Sequence, residues 1–335
     1  MTVLKNIAKI IAIVLLFVVV AILLFNLFLN IKLFEFYSSS KSIGDVPGLN
    51  DGGVQQGLDY VAESDALLTS CYMKNKTASR IYVTKDGKTT HTALKKSDGT
   101  DYTGHVGGIC HSGNYLYVGD SGGVKVYSLS DILAGGEAKM VGEVKLVNTA
   151  SWCTVYDGYI YAGTFSDVIG GAYPPKDEYI LANPKVEGEA NCSIISVYKL
   201  SDAEGSTFGI DNSAPVNVIS TIGKVQGGVF NKDGNLILST SWGLNLSGFY
   251  FYDMKKAAEN KLTYEEDGKK YDMIFLGTDS LTYKLDGPPM AEELVIIENR
   301  LYVMNESASA KYIFGNLIGG RELYTLEIKD SYFGK

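Results

Sequence analysis

Histidine is almost missing from this chain: three residues in 335, beside four cysteines, two tryptophans and seven prolines. Three histidines cannot build a conventional zinc centre without help from carboxylates. His105 and His111 would stand at opposite ends of one strand, about 20 Å apart at ~3.3 Å per residue, too far to share an ion. Four cysteines in a chain of this length exclude a disulfide-dense scaffold. Positive charge is also short, with 30 Lys and Arg against 38 Asp and Glu, a net charge of −8. The chain therefore has no electrostatic footprint for a nucleic-acid backbone, and no nucleic-acid partner is expected. Neither Gly-x-Ser-x-Gly, nor a phosphate-cradling glycine loop, nor His-Glu-x-x-His occurs.

The chain holds 46% apolar residues, 37 glycines and 23 tyrosines. That is an ordered composition with ample material for a core. The first stretch is a different substance from the rest. From Ile10 to Leu29 the single polar side chain is Asn26. About 20 apolar residues at about 1.5 Å each match a bilayer core of roughly 30 Å. Lys5 and Lys9 precede the run and no acid occurs before Glu35, so the N-terminus is expected in the cytoplasm. The run is longer than a signal-peptide core, and bulky residues follow it where a peptidase wants small ones. The expectation is an uncleaved signal anchor over 10–32, with 1–9 cytoplasmic, 33–54 a tether, and 55–335 an extracytoplasmic domain. Without Lys5, Lys9 and Lys32 that remainder has 27 basic and 38 acidic residues, net −11. Such a charge suits a soluble domain and opposes docking on anionic lipid.

Internal repetition is the main signal. Five segments each pair a strand opening on small or polar residues with a tight turn and a second strand. They start at Gln55, Val106, Ala150, Gln226 and Ala291. Third strands follow at Arg80–Lys85, Val124–Ser130, Ile195–Ser201, Phe249–Met254 and Glu322–Ile328. Fourth strands are expected at Thr89–Leu94, Gly142–Val147, Val216–Ile222 and Met273–Gly277, with none evident in the fifth unit. Four-stranded units at this spacing suit an all-β fold, a β-propeller with five blades, because stacked blades bury the faces that one sheet cannot. Thr164 to Asn191 is an insertion, placed to roof one end of the channel.

In a propeller the first strands line the channel, so matching positions converge. The strand entrances carry Gln55 and Gln56, His105, Ser151 and Trp152, Gln226, and Glu292 with Glu293. Loops after the second strands carry Tyr72, Asp120, Ser166, Trp242 and Glu306. From these we take Gln55, Gln56, His105, Asp120, Ser151, Trp152, Gln226, Trp242 and Glu306 as candidate ligand-binding residues. Glu292 is the candidate catalytic carboxylate. Alternation along a strand allows only one of Glu292 and Glu293 to face the channel. Calcium is the ion an oxygen-rich mouth with Asp120, Glu292 and Glu306 would suit.

Gly119-Asp120-Ser121-Gly122-Gly123 matches the nucleophile motif of chymotrypsin-like proteases by letter. Neither His91, His105 nor His111 has the setting that family requires. The five residues fall where every unit turns from its second to its third strand, which accounts for them without catalysis. Cys153 and Cys192 belong to one unit and are the disulfide pairing worth testing, against the preferred alternative of four buried thiols on strands.

The repeats resemble those of secreted or anchored bacterial β-propellers. Among five-bladed folds, Gln56-Gly57-Leu58-Asp59-Tyr60 is similar to the Gln-Gly-Leu-Glu-Phe opening of the plant-type glutaminyl cyclase family. That resemblance implies cyclisation of an N-terminal glutamine, with Glu292 carrying the proton. Three functions compete: a surface module binding a glycan, peptide or small ligand at the mouth; a carboxylate-dependent enzyme, glycosidase-like or cyclase-like; and an envelope scaffold for a protein partner.

Overall fold

The computed structural model describes residues 2–168, 171–212, 214–312, 315 and 320–334. Helix α1 (Thr2–Lys32) contains one segment, Val3–Lys32, apolar and long enough to cross a membrane. A short helix, α2 (Phe34–Ser39), follows and leads into strand β1 (Ser40–Asp45).

The remaining strands form a β-propeller built from consecutive antiparallel runs. The first run is β2 (Gly53–Val61), β3 (Ala66–Met73), β4 (Arg80–Lys85) and β5 (Lys88–Lys95). The second is β6 (Ile109–Ser112), β7 (Tyr115–Asp120), β8 (Gly123–Ser128) and β9 (Gly136–Lys145). In the third, β10 (Trp152–Tyr156) and β11 (Tyr159–Gly163) precede an excursion holding the short pair β12 (Leu181–Ala182) and β13 (Ala190–Asn191). It resumes with β14 (Ser193–Leu200), its edge partner β15 (Ile210–Asp211), and β16 (Asn217–Thr221). The fourth run has β17 (Val225–Phe230), β18 (Leu236–Thr240) and β19 (Ser247–Tyr252). A hairpin, β20 (Lys261–Glu266) and β21 (Lys269–Phe275), comes before its outer strand β22 (Leu281–Gly287). The last run is β23 (Ala291–Ile297), β24 (Arg300–Asn305) and β25 (Glu322–Glu327).

Turn chemistry sets these hairpins. Between β10 and β11, Asp157 and Gly158 both hold positive φ, 48° and 78°, the backbone that a two-residue turn needs to follow strand twist. The inner strands close a ring: β2 packs on β6, β6 on β10, β10 on β17, β17 on β23, and β23 back on β2. Apolar side chains fill the spaces between neighbouring runs. Leu68, Ile81, Ile109, Leu116 and Tyr127 join the first and second; Trp152, Ile195, Phe230 and Leu236 join the third and fourth. Each such side chain contributes about 1.5–3 kcal/mol when removed from water.

Two expectations need correction. Met273–Gly277 is not the fourth strand of its unit. Met273 to Phe275 lie in the hairpin strand β21, which pairs in parallel with β16 of the preceding run, while β22 fills the outer place beside β19. Hairpin β20–β21 is thus an insertion that covers a neighbouring edge, which local sequence pattern cannot reveal. The stretch from Ser38 is not a plain tether either. Strand β1 pairs antiparallel with β25, Ser40 opposite Leu326 and Ser42 opposite Tyr324. It supplies the fourth strand that the last unit lacks, so the two ends of the propeller sequence meet in one sheet. The Asp45–Arg321 ion pair at 2.9 Å lies at the end of this pairing.

The helical segment is joined to the same sheet. Leu29, Leu33 and Phe36 are buried in a core shared with Phe249, Phe251, Leu326 and Phe333. The Phe36 ring stacks on Phe249 at 5.9 Å and meets Tyr324 edge-on at 5.4 Å. All four cysteines are free thiols. Cys153 packs with Cys110 across the second and third runs, and the Cys192 sulfur lies beside Gly223, so the Cys153–Cys192 pairing is not formed.

Candidate functional site

The inner strands converge so tightly that side chains at the axis are rationed. A β-carbon on Gly108 would fall 2.1 Å from a Glu293 carboxylate oxygen and 2.7 Å from the Trp152 Cα. One on Gly227 would fall 2.5 Å from the Glu293 Cα. The glycines that lead the repeats are therefore there for close approach between strands. The space they leave is taken by Glu293, which is 1% exposed. Its carboxylate accepts the backbone N–H groups of Leu58 and Ile109 at 2.7 Å each and of Cys153 at 3.3 Å. Those donors stand at matching positions of the first, second and third runs, so one side chain from the last run ties three others. Burial pushes the Glu293 pKa up, and the N–H donors from Ile109 and Leu58 act against that rise.

Glu292 points the other way. A bulge in β23, where the register slips between Ala291 and Leu294, sends the two neighbouring carboxylates to separate places. Similar slips occur in β2 between Gln55 and Leu58 and in β17 between Val225 and Gly227. They turn Gln56, Gln226 and Glu292 into a single cavity of about 610 Å³. Its wall also includes His105, Asp120, Ser151, Ser166, Trp242 and Glu306. Eight of the ten residues singled out from sequence thus share one space. Gln55 and Trp152 do not. Gln55 is fully buried, its amide nitrogen donating to the Pro47 carbonyl at 2.9 Å. Trp152 is fully buried in the interface between runs, against Gly163 and Gly228, where a β-carbon would strike the indole.

The polar floor is knit together. Gln56 Nε2 donates to Glu306 at 2.9 Å and to its neighbour's carbonyl at 2.6 Å. Tyr312 Oη donates to the other Glu306 oxygen at 2.9 Å. Gln226 Nε2 reaches Glu292 at 3.4 Å and Ser241 at 3.3 Å. Burial raises the pKa of Glu292 well above the usual carboxylate range, with the Glu306 and Glu293 charges adding to it and Lys311 opposing. Burial likewise raises Glu306, against the pull of Tyr312, Lys311 and Gln56. Asp120 is held elsewhere, accepting from Tyr102 Oη at 2.6 Å and from the Ser121 N–H at 2.7 Å. His105 stands at the rim with its ring 4.7 Å from that of Tyr72. Loss of hydration there, and then the Lys311 ammonium, lower its pKa.

The insertion after β11 forms one side of the mouth. Phe165, Tyr173 and Trp242 make a three-ring patch, with centroids 5.3 to 5.6 Å apart and Tyr173 edge-on to both others. Ser151 helps to set it, its hydroxyl accepting the Phe165 N–H at 2.9 Å. The sequence placed the lid but not its aromatic residues. Ile169 and Gly170 of that insertion lie outside the described residues. Lys311 and Tyr312 were missed altogether, because they sit in the loop between β24 and β25, which breaks the repeat. The long gap from Asn305 to Glu322 was the available signal.

Among the described residues, no three His, Cys, Asp or Glu side chains gather so as to hold a metal ion. The calcium expectation finds no ready site there, and the Asp120 carboxylate accepts from Tyr102 and from the Ser121 N–H.

No protein-family model matches the chain, and no curated protein matches it. Among solved structures, the PQQ-bound aldose sugar dehydrogenase from Streptomyces coelicolor is similar at a TM-score of 0.45 and 12% identity, over 87% of this chain and 98% of that one. The RS223 β-xylosidase has the same score and identity over 87% and 95%. The XC5397 gluconolactonase from Xanthomonas campestris gives 0.40 and 13% over 87% and 89%. What those proteins bind or convert is theirs and assigns no role to this cavity.

Proposed function

We propose that the chain is a single-pass, membrane-anchored β-propeller whose extracytoplasmic channel mouth binds a glycan or a similarly hydroxylated ligand. The observation that carries this reading is the pairing, within one cavity of about 610 Å³, of a three-ring aromatic patch with a floor of amides and carboxylates. Sugar rings offer apolar C–H faces to aromatic rings and hydroxyl groups to amides and acids, and the cavity presents both. The anchor reading is supported by packing. Cleavage near the end of α1 would remove Leu29, and further on Leu33 and Phe36, from the propeller core.

Titration calorimetry on the full chain in detergent micelles tests the ligand reading, using cell-wall and plant oligosaccharides and peptides that begin with glutamine. One oligosaccharide should bind, and Trp242→Ala should weaken it by about tenfold or more, the usual scale of a lost stacking face. Absence of binding by every sugar overturns the reading. A response to the glutamine peptides alone would favour the cyclase-like alternative.

A second reading has its own support. Glu292 and Glu306 share the cavity, both are buried, and each has a pKa held above the ordinary range. One carboxylic acid beside one carboxylate is the equipment of acid–base chemistry on a glycosidic bond. Product release from a bound oligosaccharide, lost in Glu292→Gln, would make the module an enzyme. An envelope scaffold remains the outcome if the mouth binds nothing.

A further inference from the structure

Charge at the mouth does not balance, and the imbalance specifies the ligand further. Glu292 and Glu306 both face the cavity, 3% and 8% exposed. Neither has an ion-pair partner within 4.0 Å among the described residues. The Glu292 carboxylate receives a single described hydrogen bond, the long one from Gln226 at 3.4 Å. A carboxylate so buried and so sparsely served is costly unless something completes its shell.

The nearby cations are occupied. Lys176, on the cavity wall, is paired with Glu266 at 2.5 Å. Lys224 is 3.4 Å from Asp167. Lys311 is the cation closest in sequence to Glu306, yet its ammonium turns aside. It donates to Tyr72 Oη at 2.7 Å and lies 5.4 Å over the Tyr72 ring and 5.1 Å over the Tyr312 ring. Its position shows that aromatic faces at this rim accept an ammonium group. Lys311 acts on the carboxylates below only at a distance, and direct contact is left to a cation from outside.

We infer that the ligand of the mouth carries a free primary ammonium group, as a de-acetylated amino sugar does, and that Glu292 is its counter-charge. The inference rests on the glycan reading and names its substrate class. A primary ammonium has three N–H donors, enough to reach Glu292 and Glu306 together while the sugar ring lies on the Trp242 patch. Lys311 then acts as a competitor of like charge at the rim, so removing it strengthens binding.

The test compares two oligosaccharides of equal length on the full chain in micelles: glucosamine oligomers and their N-acetylated counterparts. Calorimetry at neutral pH should show the free amine bound about tenfold or more tightly, the worth of a charge-assisted hydrogen bond. Glu292→Gln should collapse that preference, and Lys311→Met should raise affinity for the amine severalfold. Equal or better binding of the acetylated oligomer overturns the inference while leaving the glycan reading intact. Preference for the amine that survives Glu292→Gln also overturns it, by moving the counter-charge elsewhere. If neither oligomer binds, nor any neutral sugar, both readings fall together.

Discussion

Glu292 and Glu293 are adjacent in sequence and both buried, yet they differ in what their carboxylates meet. Strand alternation predicted that only one would face the channel; Glu293 fills the axis between the inner strands and Glu292 enters the cavity at the mouth. What the sequence could not state is the bulge that sends Glu292 to a cavity and Glu293 to three backbone donors from other runs. The two should therefore answer mutation in opposite ways. Glu292 has a raised folded-state pKa, caused by burial and by the Glu306 and Glu293 charges against Lys311. A carboxyl group with a raised pKa costs nothing at pH values below its unfolded pKa, where both states are protonated. The penalty grows as pH rises from there through the folded pKa, because the unfolded state ionises first. Glu292→Gln, which mimics the protonated acid, should melt with the wild type at about pH 4 and about 2–4 °C above it at about pH 8. Glu293→Ala should instead lose about 3 kcal/mol or more at either pH, since three buried N–H donors lose their acceptor. Differential scanning calorimetry at the two pH values separates the residues. A pH-independent melting point for Glu292→Gln relative to wild type would contradict the burial account.

At the scale of elements, the repeat was readable because each unit obeys the same rules of turn and close approach. Gly108 and the Asp157–Gly158 turn are instances already visible as letters. Long-range pairing was not readable. Nothing local in Ser40–Asp45, whose side chains are mostly exposed, announces pairing with β25 from the far end of the chain. The parallel pairing of β21, where Met273–Gly277 was expected as the fourth strand of its own unit, is unreadable for the same reason. Truncation tests the closure. A chain starting at Gly53 loses β1 together with buried Val46 and Leu49, and leaves β25 as an open edge. It should fail to give a cooperative melt. A chain starting at Ser38 keeps β1 but loses buried Leu29, Leu33 and Phe36. It should fold with stability lower by about 5 kcal/mol or more, at roughly 2–5 kcal/mol per large buried side chain removed. Equal melting of the two shortened chains would show that β1 contributes nothing.

At the scale of the molecule, the fold class and the convergence of eight of the ten candidate residues on one cavity were legible because a ring of repeats brings corresponding positions to one axis. Gln56, Gln226 and Glu292 were found that way, although about 66 to 236 residues separate them along the chain. Trp152 was misplaced by the same logic. It stands at the position where the first, second and fourth units carry glycine, and its size forces it into the interface instead. The aromatic lid and Lys311 lie on insertions, which repetition does not constrain. The cavity they complete is the centre of the account, and one optical measurement reaches it directly. The protein has two tryptophans: Trp152, fully buried, and Trp242, on the cavity wall. Acrylamide quenching of the full chain therefore reports mainly on Trp242. Titration with the amine-bearing oligosaccharide should protect that fluorescence from acrylamide in a saturable manner, and Trp242→Phe should abolish the signal. Quenching that is unchanged at a saturating concentration, established by calorimetry, would place the ligand away from the mouth and contradict the account.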